Sequence, residues 1–157
     1  LDYLVIDLPP GTGDIQLTLS QQVPVNGAVV VTTPQDIALL DARRGIEMFR
    51  RVEVPVLGII ENMSLHRCSK CGHAEYLFGE GGGEKIAAEY ETELLGALPL
   101  DRSIREQTDI GKPPVISDPD GVIAQTYRDV ARRVGAKLAL LAERDGSGDL
   151  IAKTLRS

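Results

Sequence analysis

The sequence predicts a doubly wound α/β fold, a mainly parallel sheet with helices on both faces, and three observations carry that expectation. Runs at Leu4 to Leu8, Ala28 to Val31 and Val56 to Ile60 are short, rich in Val and Ile, and not alternating. That is the pattern of parallel strands covered on both faces. Helical patterns separate the runs, and strands alternating with helices imply crossover connections in a parallel sheet. A long amphipathic pattern then closes the chain, with Ile123, Tyr127, Val130, Val134, Leu138 and Leu141 at helical spacing between Gly121 and about Glu143.

The elements follow in order. Asp14 is placed to cap a helix carrying Ile15 and Leu19 after the first run. Pro34 opens a second helix with Leu39, Ala42, Ile46 and Phe49 on one face. A weaker fourth strand covers Leu94 to Leu98. The Gly79-Glu80-Gly81-Gly82-Gly83 run resembles a phosphate loop but lacks a following Lys-Ser/Thr, and it reads as a flexible hinge before a helix starting at Glu84 and Lys85. Residues 145–157, beginning Asp145-Gly146-Ser147-Gly148, read as a flexible tail, so the expected organisation is one domain over 1–144 with that tail attached. The chain starts at Leu1, not Met, and enters an apolar run at once, from which we expect the carboxyl-terminal part of a longer domain.

A length of 157 residues with 43% apolar and 25% charged residues suits one globular core. The net charge of -6, with no basic block longer than Arg43-Arg44 or Arg50-Arg51, argues against a nucleic-acid or anionic membrane partner. No apolar run approaches the roughly 18 residues of a transmembrane helix. A cytoplasmic, reducing setting is the expectation, in which paired cysteines bind metal or do redox chemistry.

Two segments carry chemistry. The first apolar run exits through Asp7-Leu8-Pro9-Pro10-Gly11-Thr12-Gly13-Asp14. Ligands of open α/β sheets sit at the carboxyl ends of the strands, so Asp7 is placed to order a phosphate-bound Mg²⁺, usually through water. Gly11 and Gly13 allow backbone N–H groups to approach a terminal phosphate. An ordinary strand-to-helix turn capped by Asp14 is the plainer reading of the same residues.

The second segment is Cys68-Ser69-Lys70-Cys71-Gly72, in a loop after the strand that ends Ile59-Ile60-Glu61-Asn62. These are the chain's two cysteines, and thiolate metal sites usually need about four ligands, so a second copy of the chain is one source of the missing pair. A zinc knuckle completed by His66 and His73 stands as an alternative, because Cys-x-x-Cys-Gly is a zinc-ribbon turn. A thioredoxin-like redox pair stands as another, although that motif normally starts a helix.

The strings Val5 to Asp14, Val31-Thr32-Thr33-Pro34-Gln35, Glu61-Asn62-Met63-Ser64, Cys68/Cys71 with Gly72-His73, Phe78 to Gly83, and Leu98-Pro99-Leu100-Asp101 together resemble the Mrp/ApbC family of iron-sulfur carrier ATPases, within the MinD/ParA group of P-loop NTPases. The likeness runs in order from about Asp2 to Arg133. It implies that Asp7 is the acid that orders Mg²⁺ and that Gly11 and Gly13 belong to the turn sensing the terminal phosphate of ATP. It also implies that Asn62 reads adenine and that Pro99, Leu100 and Asp101 pack around base and ribose. Cys68 and Cys71 would hold a bridging [4Fe-4S] cluster with the same pair of a twofold-related copy, within a cluster loop over 62–83. Homodimerisation, delivery to apo iron-sulfur proteins, and coupling from the Gly11 to Asp14 turn across the dimer to the cysteine loop follow as expectations. A MinD/ParA-like positioning ATPase without a cluster is the rival from another class, and a zinc-stabilised module is a third. The family's Lys-Gly-Gly-x-Gly-Lys-Ser/Thr phosphate loop has no counterpart here, since Gly111-Lys112 is followed by Pro113. ATP hydrolysis is therefore expected of a longer protein and not of this chain alone.

Overall fold

The computed structural model describes residues 1–8, 13, 18, 21–68 and 70–144. In chain order the described elements are β1 (Ala28–Thr32), α1 (Asp36–Arg51), β2 (Val56–Glu61), β3 (His66–Arg67), β4 (Ala74–Glu75), α2 (Gly82–Glu89), β5 (Leu94–Ala97), α3 (Arg102–Asp109), α4 (Pro114–Ser117) and α5 (Val122–Arg144). The strands β1, β2 and β5 form a parallel sheet in that order, with Val30 beside Ile59 and Ile59 beside Leu94. A separate antiparallel ribbon pairs β3 with β4.

Each helix is placed by its apolar stripe. The predicted face of α1 is buried at Leu39, Ala42, Ile46 and Phe49, and it joins Val30, Ile59, Ile86 and Ala87 in one core cluster. Both α1 and α2 thus cover a single face of the sheet. Successive strand residues face opposite ways, and Gly96 pairs with Ile60, the neighbour of Ile59. A Cβ on Gly96 would lie 2.5 Å from Val130 Cγ2, so α5 covers the other face at close range. Ile46, Ile59, Ile86 and Leu95 are fully buried, and emptying any one of them should cost about 2–5 kcal/mol.

Three expectations are corrected. Leu4 to Leu8 is not a strand: residues 1–8 carry no ladder among the described residues, and Val5 is 89% exposed. An apolar run becomes a strand only where a neighbour accepts its backbone hydrogen bonds, and no described strand lies beside this one. Coverage on both faces also fails at β1, where Val31 is 59% exposed because α5 reaches β5 and β2 but not that edge.

The glycine run is a packed corner instead of a flexible hinge. Gly79 and Gly81 take positive φ values of 100° and 68°, a conformation that costs Gly little. Helix α2 then starts at Gly82, and a Cβ there would sit 3.0 Å from Pro34 Cα. The Asp14 cap, Gly11, Ser69 and the 145–157 tail lie outside the described residues.

Candidate nucleotide and metal site

The carboxyl ends of β1, β2 and β5 meet at one edge of the sheet, and the last residue of β2 organises it. Glu61 is only 5% exposed, yet its carboxylate Oε2 accepts the Gly83 N–H at 2.6 Å. Gly83 lies in the first turn of α2, where N–H groups lack helical partners and the helix dipole favours an anion. A Cβ at Gly83 would come within 3.0 Å of Glu61 Cβ, so glycine permits the contact. The two ends of the cysteine-bearing excursion, residues 62–82, are thereby fastened to each other.

Beyond Glu61 the chain turns sharply. The Asn62 N–H donates to Thr32 O at 2.7 Å, and Asn62 Oδ1 accepts the Met63 N–H at 2.9 Å, which fixes the amide's orientation and leaves its NH₂ end without a partner among the described residues. Met63 takes a left-handed φ of 55°. Ser64 is buried, and both its N–H and its Oγ donate to Leu98 O at 3.0 Å.

The cysteines sit at the tip of the β3–β4 ribbon. The Cys68 N–H donates to His73 O at 2.8 Å and the Gly72 N–H donates to Cys68 O at 2.8 Å, closing a tight turn with Gly72 at φ 73°. Both thiols are free, Cys68 half-buried and Cys71 exposed. The backbone N–H groups of Cys71 and then Lys70, with the Cys71 side chain, hold the Cys68 thiol below its ordinary pKa, against burial and the Glu75 charge. A thiolate stabilised this way is the form that binds metal.

Among the described residues no group of three His, Cys, Asp or Glu side chains is arranged to hold a metal ion. His66 is turned away to Leu100, its Nδ1 3.1 Å from that carbonyl oxygen. Among the described residues the single-chain zinc knuckle with His66 and His73 is therefore not assembled.

Of the nucleotide residues expected from the sequence, Asn62, Pro99, Leu100 and Asp101 are all half-buried and lie on two segments joined by the Leu98 N–H to Glu61 O and Ser64 N–H to Leu98 O hydrogen bonds. Asp101 caps α3, its Oδ1 accepting the Ser103 N–H at 2.7 Å. Asp7 and Gly13 are exposed, and no described contact joins them to this edge. Sequence reasoning passed over Glu61, Ser64 and His66 as ties; an acid closing the apolar run Leu57-Gly58-Ile59-Ile60 was the available signal for the first.

A parallel α/β sheet with these loops at its carboxyl edge defines the class of MinD-like P-loop proteins. The cell division ATPase MinD of Pyrococcus furiosus aligns with a TM-score of 0.56 at 23% identity over 71% of this chain and 43% of that one, a likeness of fold alone. A nucleotide-binding protein in complex with ADP from Archaeoglobus fulgidus aligns with a TM-score of 0.66 at 40% identity, covering 77% of this chain and 49% of that one. Residues 1–135 match the ParA family model described as NUBPL iron-transfer P-loop NTPase, and the chain belongs to that family.

Relatives include a protein of Pseudomonas fragi named iron-sulfur cluster carrier protein, 65% identical over 88% of this chain and 48% of its own length. The protein of that name from Escherichia coli K12 is 64% identical over 37% of its length. A mouse protein named iron-sulfur cluster transfer protein NUBPL is 52% identical over 43% of its length. The chain thus spans less than half the length of these relatives.

Proposed function

We propose that the chain belongs to a nucleotide-dependent iron-sulfur carrier, in which Cys68 and Cys71 of two copies share one [4Fe-4S] cluster as cargo for apo iron-sulfur proteins. The observation that carries this reading is the free thiol pair on a ribbon tip, with no third ligand among the described residues. Two soft thiolates per chain suit an iron-sulfur cluster when two chains meet. The names of the relatives support delivery as the task. No described helix is long and apolar enough to cross a membrane, and a reducing cytoplasm is the setting in which such a thiol pair stays open to metal.

The nucleotide would be ATP with Mg²⁺. Asn62 would read the base with its free NH₂ end, and Pro99 to Asp101 would pack around base and ribose. Asp7 would order the metal and Gly11 and Gly13 the terminal phosphate. The Archaeoglobus neighbour, a nucleotide-binding protein in complex with ADP, supports nucleotide binding by this fold. We place the nucleotide domain over 1–144, the cluster loop over 62–83 and a tail over 145–157.

The test is anaerobic purification of the protein as encoded, at full length, with iron, sulfide and zinc analysis and a visible spectrum. About four irons and four sulfides per two chains, lost in Cys68→Ala, are expected for a bridging cluster. Stoichiometric zinc that survives reconstitution with iron and sulfide would overturn the carrier reading.

A further inference from the structure

The loop assigned above to base and ribose is hydrogen-bonded directly to the arm that carries the cysteines. Leu98 O accepts both donors of Ser64, the Leu100 N–H donates to Leu65 O at 2.9 Å, and His66 and Leu100 form a parallel bridge. His66 Nδ1 then meets Leu100 O at 3.1 Å. A carbonyl oxygen only accepts, so Nδ1 carries the proton in this contact.

Residues 64–66 and 98–100 therefore form a short parallel ladder. On one side it continues into β3 and, one residue past Arg67, reaches Cys68. On the other it is anchored by the Leu98 N–H on Glu61 O at 2.7 Å and by Asp101 capping α3. The 98–101 loop is thus hydrogen-bonded to each of the three residues, Ser64, Leu65 and His66, that lead into and open β3. Among the described residues the far arm of the ribbon has no comparable tie: β4 is exposed and its described pairing is with β3. The near arm, bearing Cys68, is the one bonded to the base loop.

We propose that occupancy of the base site is transmitted to the cysteine pair through this ladder, with His66 as the positioning residue. The adenosine part of the ligand, as well as its phosphates, then sets how Cys68 and Cys71 are presented within one chain. The inference rests on the reading of Asn62 and 99–101 as a base site. It adds a route inside one protomer to the expected route across the dimer. Coupling of this kind needs an element with two arrangements that both sites bias, and the ladder joins them physically.

The experiment uses the apo protein at full encoded length. Hydrogen exchange of the Leu98, Leu100 and Asp101 amides is read with and without adenosine, ATP or inorganic tripolyphosphate, together with the alkylation rate of Cys68 by iodoacetamide. In the wild type, adenosine and ATP should protect the Leu100 amide and change the Cys68 rate at least threefold, whereas tripolyphosphate should do neither.

In His66→Phe the amide protection should persist while the rate change vanishes. His66→Asn, whose side-chain NH₂ can replace the Nδ1 donor, should restore it. Should His66→Phe fail to fold, Ser64→Ala removes one donor from Leu98 O and should reduce the rate change. Protection with an unaltered rate change in His66→Phe and Ser64→Ala would overturn this inference and leave the base site standing. Absence of protection at 98–101 in the wild type would overturn both.

Discussion

Two apolar runs of similar composition end in an acid, Leu4-Val5-Ile6-Asp7 and Gly58-Ile59-Ile60-Glu61, and they have opposite fates. The second is the central strand of the sheet, laddered on both sides, with Ile59 wholly buried and Glu61 tied to α2. The first carries no ladder among the described residues, and Asp7 is exposed. Composition makes a strand possible; a neighbouring backbone that pairs with it makes it real. The same contrast separates the acids, because a carboxylate at a strand end becomes a structural tie only where a helix terminus offers an unpaired N–H.

The contrast can be broken at the apolar positions first. Ile59→Ala should lose about 2–5 kcal/mol of unfolding free energy by denaturant titration, because the core has no room to refill the cavity. Val5→Ala should stay within about 0.5 kcal/mol, as exposed substitutions do. Comparable losses at the two positions would mean that Val5 is packed in solution, as Leu8 already is against the core cluster.

The acids sharpen the comparison at smaller scale. Glu61→Ala leaves the Gly83 N–H buried without a partner and should cost about 1–3 kcal/mol. Glu61→Gln keeps an acceptor oxygen and should recover most of that loss, whereas Asp7→Ala should leave the denaturation midpoint unchanged. Gly83→Ala, which thrusts a Cβ to 3.0 Å from both Glu61 Cβ and Leu94 Cδ1, should destabilise in the same sense as Glu61→Ala. The two substitutions should combine less than additively, since they break one contact.

The smallest effect lies on the surface tie between α1 and α2. Arg43 pairs with Glu89, Nη2 to Oε2 at 2.9 Å, and its hydrogen bonds hold the Glu89 carboxyl below its ordinary pKa. A carboxylate with a lowered folded-state pKa adds stability at neutral pH that is lost as the pH falls through that lowered value. Glu89→Gln should therefore narrow the stability gap between pH 7 and the acid limb slightly, and added salt should shrink the difference. A wild-type-like acid limb in Glu89→Gln would show the pair to be energetically idle.

Much of the fold was legible. The α1 stripe Leu39, Ala42, Ile46 and Phe49 is buried as its spacing predicts, and the closing helix spans Val122–Arg144 against an expected Gly121 to about Glu143. Helical periodicity is a local property, so it survives without knowledge of partners. The thiol pair was legible for the same reason, since two cysteines three residues apart must share one turn. The glycine corner was misread because mobile and tightly packed glycines look alike in sequence; only the approach of Pro34 and Glu61 distinguishes them.

By itself the sequence determined the alternation of strands and helices, the family likeness, and which side chains are available at the edge: an amide at Asn62, thiols at Cys68 and Cys71, and carboxylates at Glu61 and Asp101. Tertiary structure alone decided which of these act together. It turned His66 away from the cysteines and onto Leu100, buried Glu61 against the first turn of α2, and laid the base loop alongside the cysteine arm. The physical reason is that residue type and spacing set what a group can donate or accept. A hydrogen bond between segments more than twenty residues apart exists only once the sheet has brought their backbones to the same edge.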